Sequence, residues 1–379
     1  MAGRELRMGT FARSRSVRLA AALVIVLGVL TGTAAPAGAA TQQPVDTHST
    51  ADPGVTLSNG KFYAFTTGGF GLWESTASIA GGPWTAPGNA MDTSSAIPNW
   101  IDRSAGIWAP DMIQIPTSKE FVVYFAARLD TSAHSGTTET PQSGARCIGA
   151  AESSSPTGPF TIQARPVVCL EGYGASDDMT ADPGNRVKGE GVIDPDPVII
   201  NNGWDNNTNE LFLTYKTQSG TGQATIRMVR LDMTTNGTAD VGDSHQLLSA
   251  IPTGSGGAYQ FSDTIEGPSL LPLSNGWFIL FVAHGNFGTC GYSTEWFKSQ
   301  HPWSWTQTGG TTVLSQSQDG LCGPGGADVS GSEVSGQYRL FFHAYANGTA
   351  GSTREMYADV LTIGSDGHTP QLSALAPAS

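Results

Sequence analysis

The sequence predicts an all-β chain folded as a five-bladed β-propeller, and three observations carry that prediction. Its 379 residues include 48 glycines and 22 prolines, with only 13% charged side chains, a composition that suits many short strands joined by turns. Helical periodicity is nearly absent, whereas strand-like apolar runs recur five times. Each of those runs follows, some ten to twenty residues later, a more polar run that bears proline or glycine. Five such units spaced by about 70 residues describe radial repetition, which leaves only short, protected sheet edges. A β-sandwich is the competing all-β architecture, but it does not explain a Pro-bearing first strand that returns five times.

The elements follow in order. Arg4, Arg7, Arg13, Arg15 and Arg18 precede an apolar run from Leu19 to Leu30 and a small-residue stretch with an A-x-A site at Ala37-Gly38-Ala39. Residues 1–40 therefore read as a secretory signal peptide, too short in its apolar part to remain as a membrane span. Residues 41–379 form the propeller, expected as a secreted, extracellular catalytic domain with no membrane contact after cleavage. Blade 1 opens with ADPGVTL, turns at Ser58-Asn59-Gly60 and continues with KFYAFTT. Blade 2 pairs IWAPDMIQI with EFVVYFAAR, and CIGAAESS supplies a third strand. Blade 3 pairs VIDPDPVII with ELFLTYKT across Asn201-Asn202-Gly203, followed by TIRMVRLD. Blade 4 pairs TIEGPSLL with GWFILFVAHG across Ser274-Asn275-Gly276. Blade 5 pairs GPGGADVS with YRLFFHAY and ends with MYADVLTI.

Charge and cysteine content narrow the function. The leader holds five of the basic residues and one acidic residue, so the mature chain has 14 basic against 31 acidic residues and a net charge near −17. Such a chain repels polyanions, which excludes nucleic acid as an expected partner. Cys147, Cys169, Cys290 and Cys322 all follow the leader, and an even count in an exported chain suggests two disulfides. Three connectivities are possible, and the pairs nearest in sequence are 147 with 169 and 290 with 322. No pair has the C-x-x-C spacing of a thiolate metal site.

The innermost strand of a propeller blade lines the central channel, so polar side chains there face water and ligand. Proline is tolerated near the end of such a strand, where no ladder donor is required. Three inner strands carry an acid at what reads as the equivalent place: Asp52, Asp194 and Glu266. Converging carboxylates repel one another, which raises at least one pKa and lets one group stay protonated while another is ionised. Glycoside hydrolysis needs such a pair. Asp196 reads as a flanking residue that faces away or caps a turn. Phe70 and Trp73, in GGFGLWEST, are candidates for stacking on a sugar.

Asp52-Pro53, the IWAP at 107–110, the IDP at 193–195 and the EGPSL at 266–270 together resemble, in order and spacing, the motifs of glycoside hydrolase family 43. The resemblance spans roughly residues 51–362. It implies a five-bladed propeller that hydrolyses arabinose- or xylose-containing plant polysaccharides or oligosaccharides with inversion. By the same resemblance Asp52 is the general base, Glu266 the general acid and Asp194 the acid that tunes and orients Glu266, while Trp108 lines the sugar subsite. An α-L-arabinofuranosidase or related arabinan-degrading enzyme is the first expectation and a β-xylosidase the second. In the arabinan-cleaving branch a histidine often stands near the position of Gly326 and helps hold a central cation. Its absence argues against a channel calcium, and neither His284 nor His343 is assigned as a ligand. No metal or other cofactor, and a monomer, are expected. The rival from another class is a non-catalytic, lectin-like propeller. No G-x-S-x-G elbow or H-E-x-x-H helix supports a serine or metal hydrolase.

Overall fold

A computed structural model describes residues 42–130, 144–169, 191–202, 208–218, 222–332 and 337–378; the expected leader lies outside them. The strands form five four-stranded antiparallel sheets, each built from strands consecutive in sequence. The first strands are Ala51–Ser58, Trp108–Gln114, Ile193–Asn202, Ile265–Pro272 and Cys322–Ser332. Each packs against the first strand of the next blade, and the fifth packs against the first, so the five form a closed ring around the channel. The chain is a five-bladed β-propeller.

The second strands explain why the sequence shows unbroken apolar runs there. A strand sandwiched between two neighbouring blades buries both faces, so successive residues go to opposite clusters. Phe65 of Lys61–Thr67 packs with Phe125 between blades 1 and 2, while Phe62 packs with Phe341 between blades 5 and 1. Tyr124 and Tyr215 belong to one buried cluster between blades 2 and 3, Phe212 and Leu280 to another between blades 3 and 4, and Phe281 and Phe342 to a third between blades 4 and 5. Each such side chain contributes about 1.5–3 kcal/mol by leaving water. The ring is closed by both ends of the described chain. Val45, Asp46 and Thr50 bond to the backbone of 354–356 in blade 5, and Ala378 donates to Gly81 of blade 1. Disulfides join Cys147 to Cys169 and Cys290 to Cys322.

One irregularity recurs in all five blades and positions the site. Between the ladder pairs Ala51–Thr67 and Gly54–Phe65 the first strand has one more residue than the second. The same bulge separates Trp108 from Asp111, Ile193 from Asp196, Glu266 from Ser269, and Gly325 from Asp328. The residue after each opening pair is left-handed: Asp52 (φ 50°), Ala109 (41°), Asp194 (57°), Gly267 (52°) and Gly326 (56°). A bulge leaves a residue outside the ladder, so the prolines that follow in four blades cost no sheet hydrogen bond. Local strain of this kind persists only where surrounding structure holds it, and here it turns Asp52 and Asp194 toward the axis.

Candidate active site

A cavity of about 230 Å³ opens on the propeller axis, and Asp52, Asp194 and Glu266 all line it. Their surroundings differ. Asp52 accepts from Thr67 Oγ1 through Oδ2 (2.7 Å) and from Arg354 through Oδ1 (3.1 Å), and its backbone N–H donates to His343 Nδ1 (3.1 Å). Burial pushes its carboxyl up, but the charge of Arg354 and the hydrogen bonds from Thr67 and Arg354 outweigh burial and hold it below its ordinary value. His343 itself is buried beside Arg354 and pushed down to about 3, so near neutral pH it acts as a hydrogen-bond acceptor and not as a charge. Arg354 and Thr67 therefore carry the effect on Asp52.

Asp194 is driven the other way, to about 7, by burial first and then by the charge of Glu266, with Lys216 pulling against them. Its Oδ2 accepts from the Gly267 N–H at 2.9 Å, a donor next to Glu266 in the chain. Glu266 accepts from Tyr292 Oη at Oε1 (2.9 Å) and from Lys216 Nζ at Oε2 (2.8 Å). Both partners are buried, and Tyr292, its pKa raised by burial and the nearby carboxylates, stays a phenol donor.

The bulges correct the sequence reading of the register. Asp52 and Asp194 occupy the left-handed position, but Glu266 precedes it by one residue, in register with Trp108 of blade 2. The channel still collects all three acids because side chains on either side of a bulge can be aimed at one point. Trp108 lines the cavity, with the Arg146 guanidinium over its ring at 3.4 Å from the centroid. Trp73 and Phe70 are not among the lining residues: Trp73 donates to Gly69 O, and Phe70 packs against the core between blades 1 and 2. His284 pairs with Glu295 and is likewise not part of the lining.

Asp196 neither faces away nor caps a turn. It lies two residues beyond the left-handed position, and the same step places Gly54, Asp111, Ser269 and Asp328 in the other blades. Carboxylate oxygens of Asp111, Asp196 and Asp328 all lie within 4.8 Å of one another, and all three residues are buried. These groups stitch blades together: Asp196 accepts from Leu270 N of blade 4, Asp328 from Val55 N of blade 1, and Val329 N donates to Ser269 Oγ. Gly54 completes the level because a Cβ there would lie 2.5 Å from Pro110 O. Burial and then mutual repulsion push Asp111 and Asp196 up, Asp196 to about 7, and burial lifts Asp328 to about 6.

The model of glycosyl hydrolases family 43 matches residues 41–369. The chain belongs to that family. This family 43 member is thus a glycoside hydrolase. No curated protein matches it. Among solved structures it is similar to a thermostable family-43 glycoside hydrolase, with a TM-score of 0.66 and 18% identity over 89% of this chain and 97% of that one. An endo-1,4-β-xylanase from Bacteroides thetaiotaomicron gives a TM-score of 0.61 at 18% identity, covering 88% and 97% of the two chains. An exo-1,5-α-L-arabinanase from a bovine ruminal metagenomic library gives 0.59 at 18% identity, covering 88% and 98%. At such identity the likeness is one of fold.

In this family 43 chain the neighbourhood of Gly326 shows what stands where a channel histidine would. A Cβ on Gly326 would lie 2.8 Å from the His343 ring and 3.2 Å from Asp52 Oδ1, so the second strand's histidine already fills that space. Its Nδ1 accepts from the Asp52 N–H at 3.1 Å. Sequence reasoning missed Lys216, Tyr292, Arg354 and Thr67, which set the electrostatics of the three acids. Only Lys216 left a signal, as a cation inside the apolar run ELFLTYKT. Gly325 also has its reason here: a Cβ would fall 2.2 Å from the Tyr292 ring.

Proposed function

We propose that this family 43 enzyme is a secreted, inverting glycosidase of arabinose- or xylose-containing poly- or oligosaccharides, with Asp52 as base, Glu266 as acid and Asp194 tuning Glu266. The observation that carries the proposal is the opposite electrostatic setting of acids that share one cavity. Asp52 is held ionised by Arg354 and Thr67, as a base that removes a proton from water must be. Asp194, pushed to about 7, keeps a proton beside Glu266 near neutral pH. Glu266 then protonates the departing oxygen while water, deprotonated by Asp52, attacks the anomeric carbon from the other side.

The first-choice substrate is an α-L-arabinofuranoside or arabinan oligomer, and the second a β-xyloside. Structural neighbours that carry arabinanase and xylanase names support the pentose class. Paired aryl glycosides test the choice: faster release from the aryl α-L-arabinofuranoside supports it, and faster release from the aryl β-xyloside reverses it. Release from neither, with arabinan or xylan still bound, replaces the enzyme by a lectin-like propeller. Export is tested by N-terminal sequencing of the secreted protein, which should begin at Ala40 or Thr41.

A further inference from the structure

The two exposed aromatic side chains among the described residues are Phe261 and Phe287, 51% and 42% accessible. They are not scattered. Their rings meet edge to face with centroids 5.9 Å apart, and both line the axial cavity. Their place in the fold is specific. The first two strands of blade 4 pair Glu266 with Ala283 and Ile265 with His284, and Gly285 N then donates to Thr264 O. Phe261 lies three residues before Thr264, and Phe287 two residues after Gly285. The ladder that carries Glu266 therefore delivers both rings beyond its own channel end.

Each ring sits on a braced turn. Buried Asp263 accepts from Thr253 N, Thr253 Oγ1 and Gln260 N, which fixes the turn of Phe261. Tyr345 Oη donates to Phe287 O, and the Cys290–Cys322 disulfide ties the same loop to blade 5. Exposed apolar rings on rigid supports lose favourable burial in the free protein and regain it when a ligand covers them.

We propose that Phe261 and Phe287 form the binding subsite for the leaving-group sugar, covering its C–H face while Glu266 protonates the bridging oxygen. The inference rests on the hydrolase reading above. The occupant follows from the side of the channel: Asp52 and the attacking water belong to blade 1, whereas the acid and both rings belong to blade 4. A departing pentose ring presents the carbon-bound hydrogens that aromatic faces cover, and its hydroxyls keep their contact with water at the cavity mouth.

The test compares two substrates of the same pentose, a pentobiose and the pentosyl fluoride, on the wild type and on Phe261→Ala/Phe287→Ala. Fluoride leaves without a ring to bind. The double variant should lose at least about tenfold in kcat/KM on the pentobiose, equal to about 1.4 kcal/mol, and stay within about twofold of wild type on the fluoride. Restoring aromaticity with Phe287→Trp in place of Phe287→Ala should recover part of the loss on the pentobiose alone. Equal losses on both substrates, no loss on either, or a change of oligomeric mass without a kinetic change would overturn the subsite and leave the hydrolase reading intact. A wild-type protein that cleaves neither substrate would overturn that reading and the subsite with it.

Discussion

Replacing Lys216 by Met removes the cation that pairs with Glu266 while keeping a long apolar stem in the second strand of blade 3. The pair is 2.8 Å long with side chains only 3% and 13% accessible. Two unit charges about 4 Å apart interact by about 4 kcal/mol at an effective dielectric near 20, which would be about three pH units and sets a ceiling. Water entering the vacated space and relaxation of Tyr292 toward Glu266 reduce this, so the expected shift is about one to two pH units. The sign follows from charge: Lys216 pulls Asp194 down, so its loss makes Asp194 hold its proton to higher pH. The alkaline limb of kcat/KM on a pentobiose should move up by that amount, measured from about pH 4 to pH 9. The variant should also melt lower, most at the alkaline end, because removing one partner of a buried pair strands the other charge. An alkaline limb that stays in place while the rate falls would refute the account of how the proton is held.

Glu266→Gln should lower kcat/KM at least about a hundredfold on a pentobiose and much less on an activated aryl pentoside, whereas Asp52→Asn should lower both alike; steady-state kinetics on the two substrates separates the roles. Gly325→Ala should displace Tyr292 from Glu266, costing about 1–3 kcal/mol in a thermal melt together with activity, since its methyl would fall 2.2 Å from the Tyr292 ring. The trio of Asp111, Asp196 and Asp328 has folded-state pKa values raised above those of unfolded aspartates. Its stabilisation is therefore complete below about pH 4 and lost as pH rises through about 6 to 7. Asp328→Asn should flatten the fall in Tm over that range, and a melting profile with the same slope in both proteins would contradict the shared charge.

The blades were legible because a strand buried on both faces must be apolar at every position, and because a bulged first strand tolerates proline that a regular strand rejects. What hid the rest was the bulge itself. One extra residue changes which side chain reaches the axis, so Glu266 read as equivalent to Asp194 although it precedes the left-handed position. The same step turned Asp196 from an apparent flanking residue into a blade-to-blade tie. Supporting groups came from second and third strands, where Arg354 and His343 have no sequence neighbour among the acids they serve. Aromatics misled in the opposite sense: Trp73 and Phe70 are spent on local packing, while Phe261 and Phe287 sit in turns without periodicity to mark them.

The central claim is that Asp52 and Glu266 act from opposite sides of one channel with a water between base and sugar. Inverting enzymes hold their carboxyls about 6.5 to 9.5 Å apart for that water, whereas retaining enzymes hold them near 5 Å and pass through a covalent intermediate. Proton NMR of the first sugar released, recorded before mutarotation, measures the outcome directly. The account predicts a product whose anomeric configuration is opposite to the substrate's; a first-formed product that keeps the substrate's configuration would contradict both the inverting mechanism and the role of Asp52.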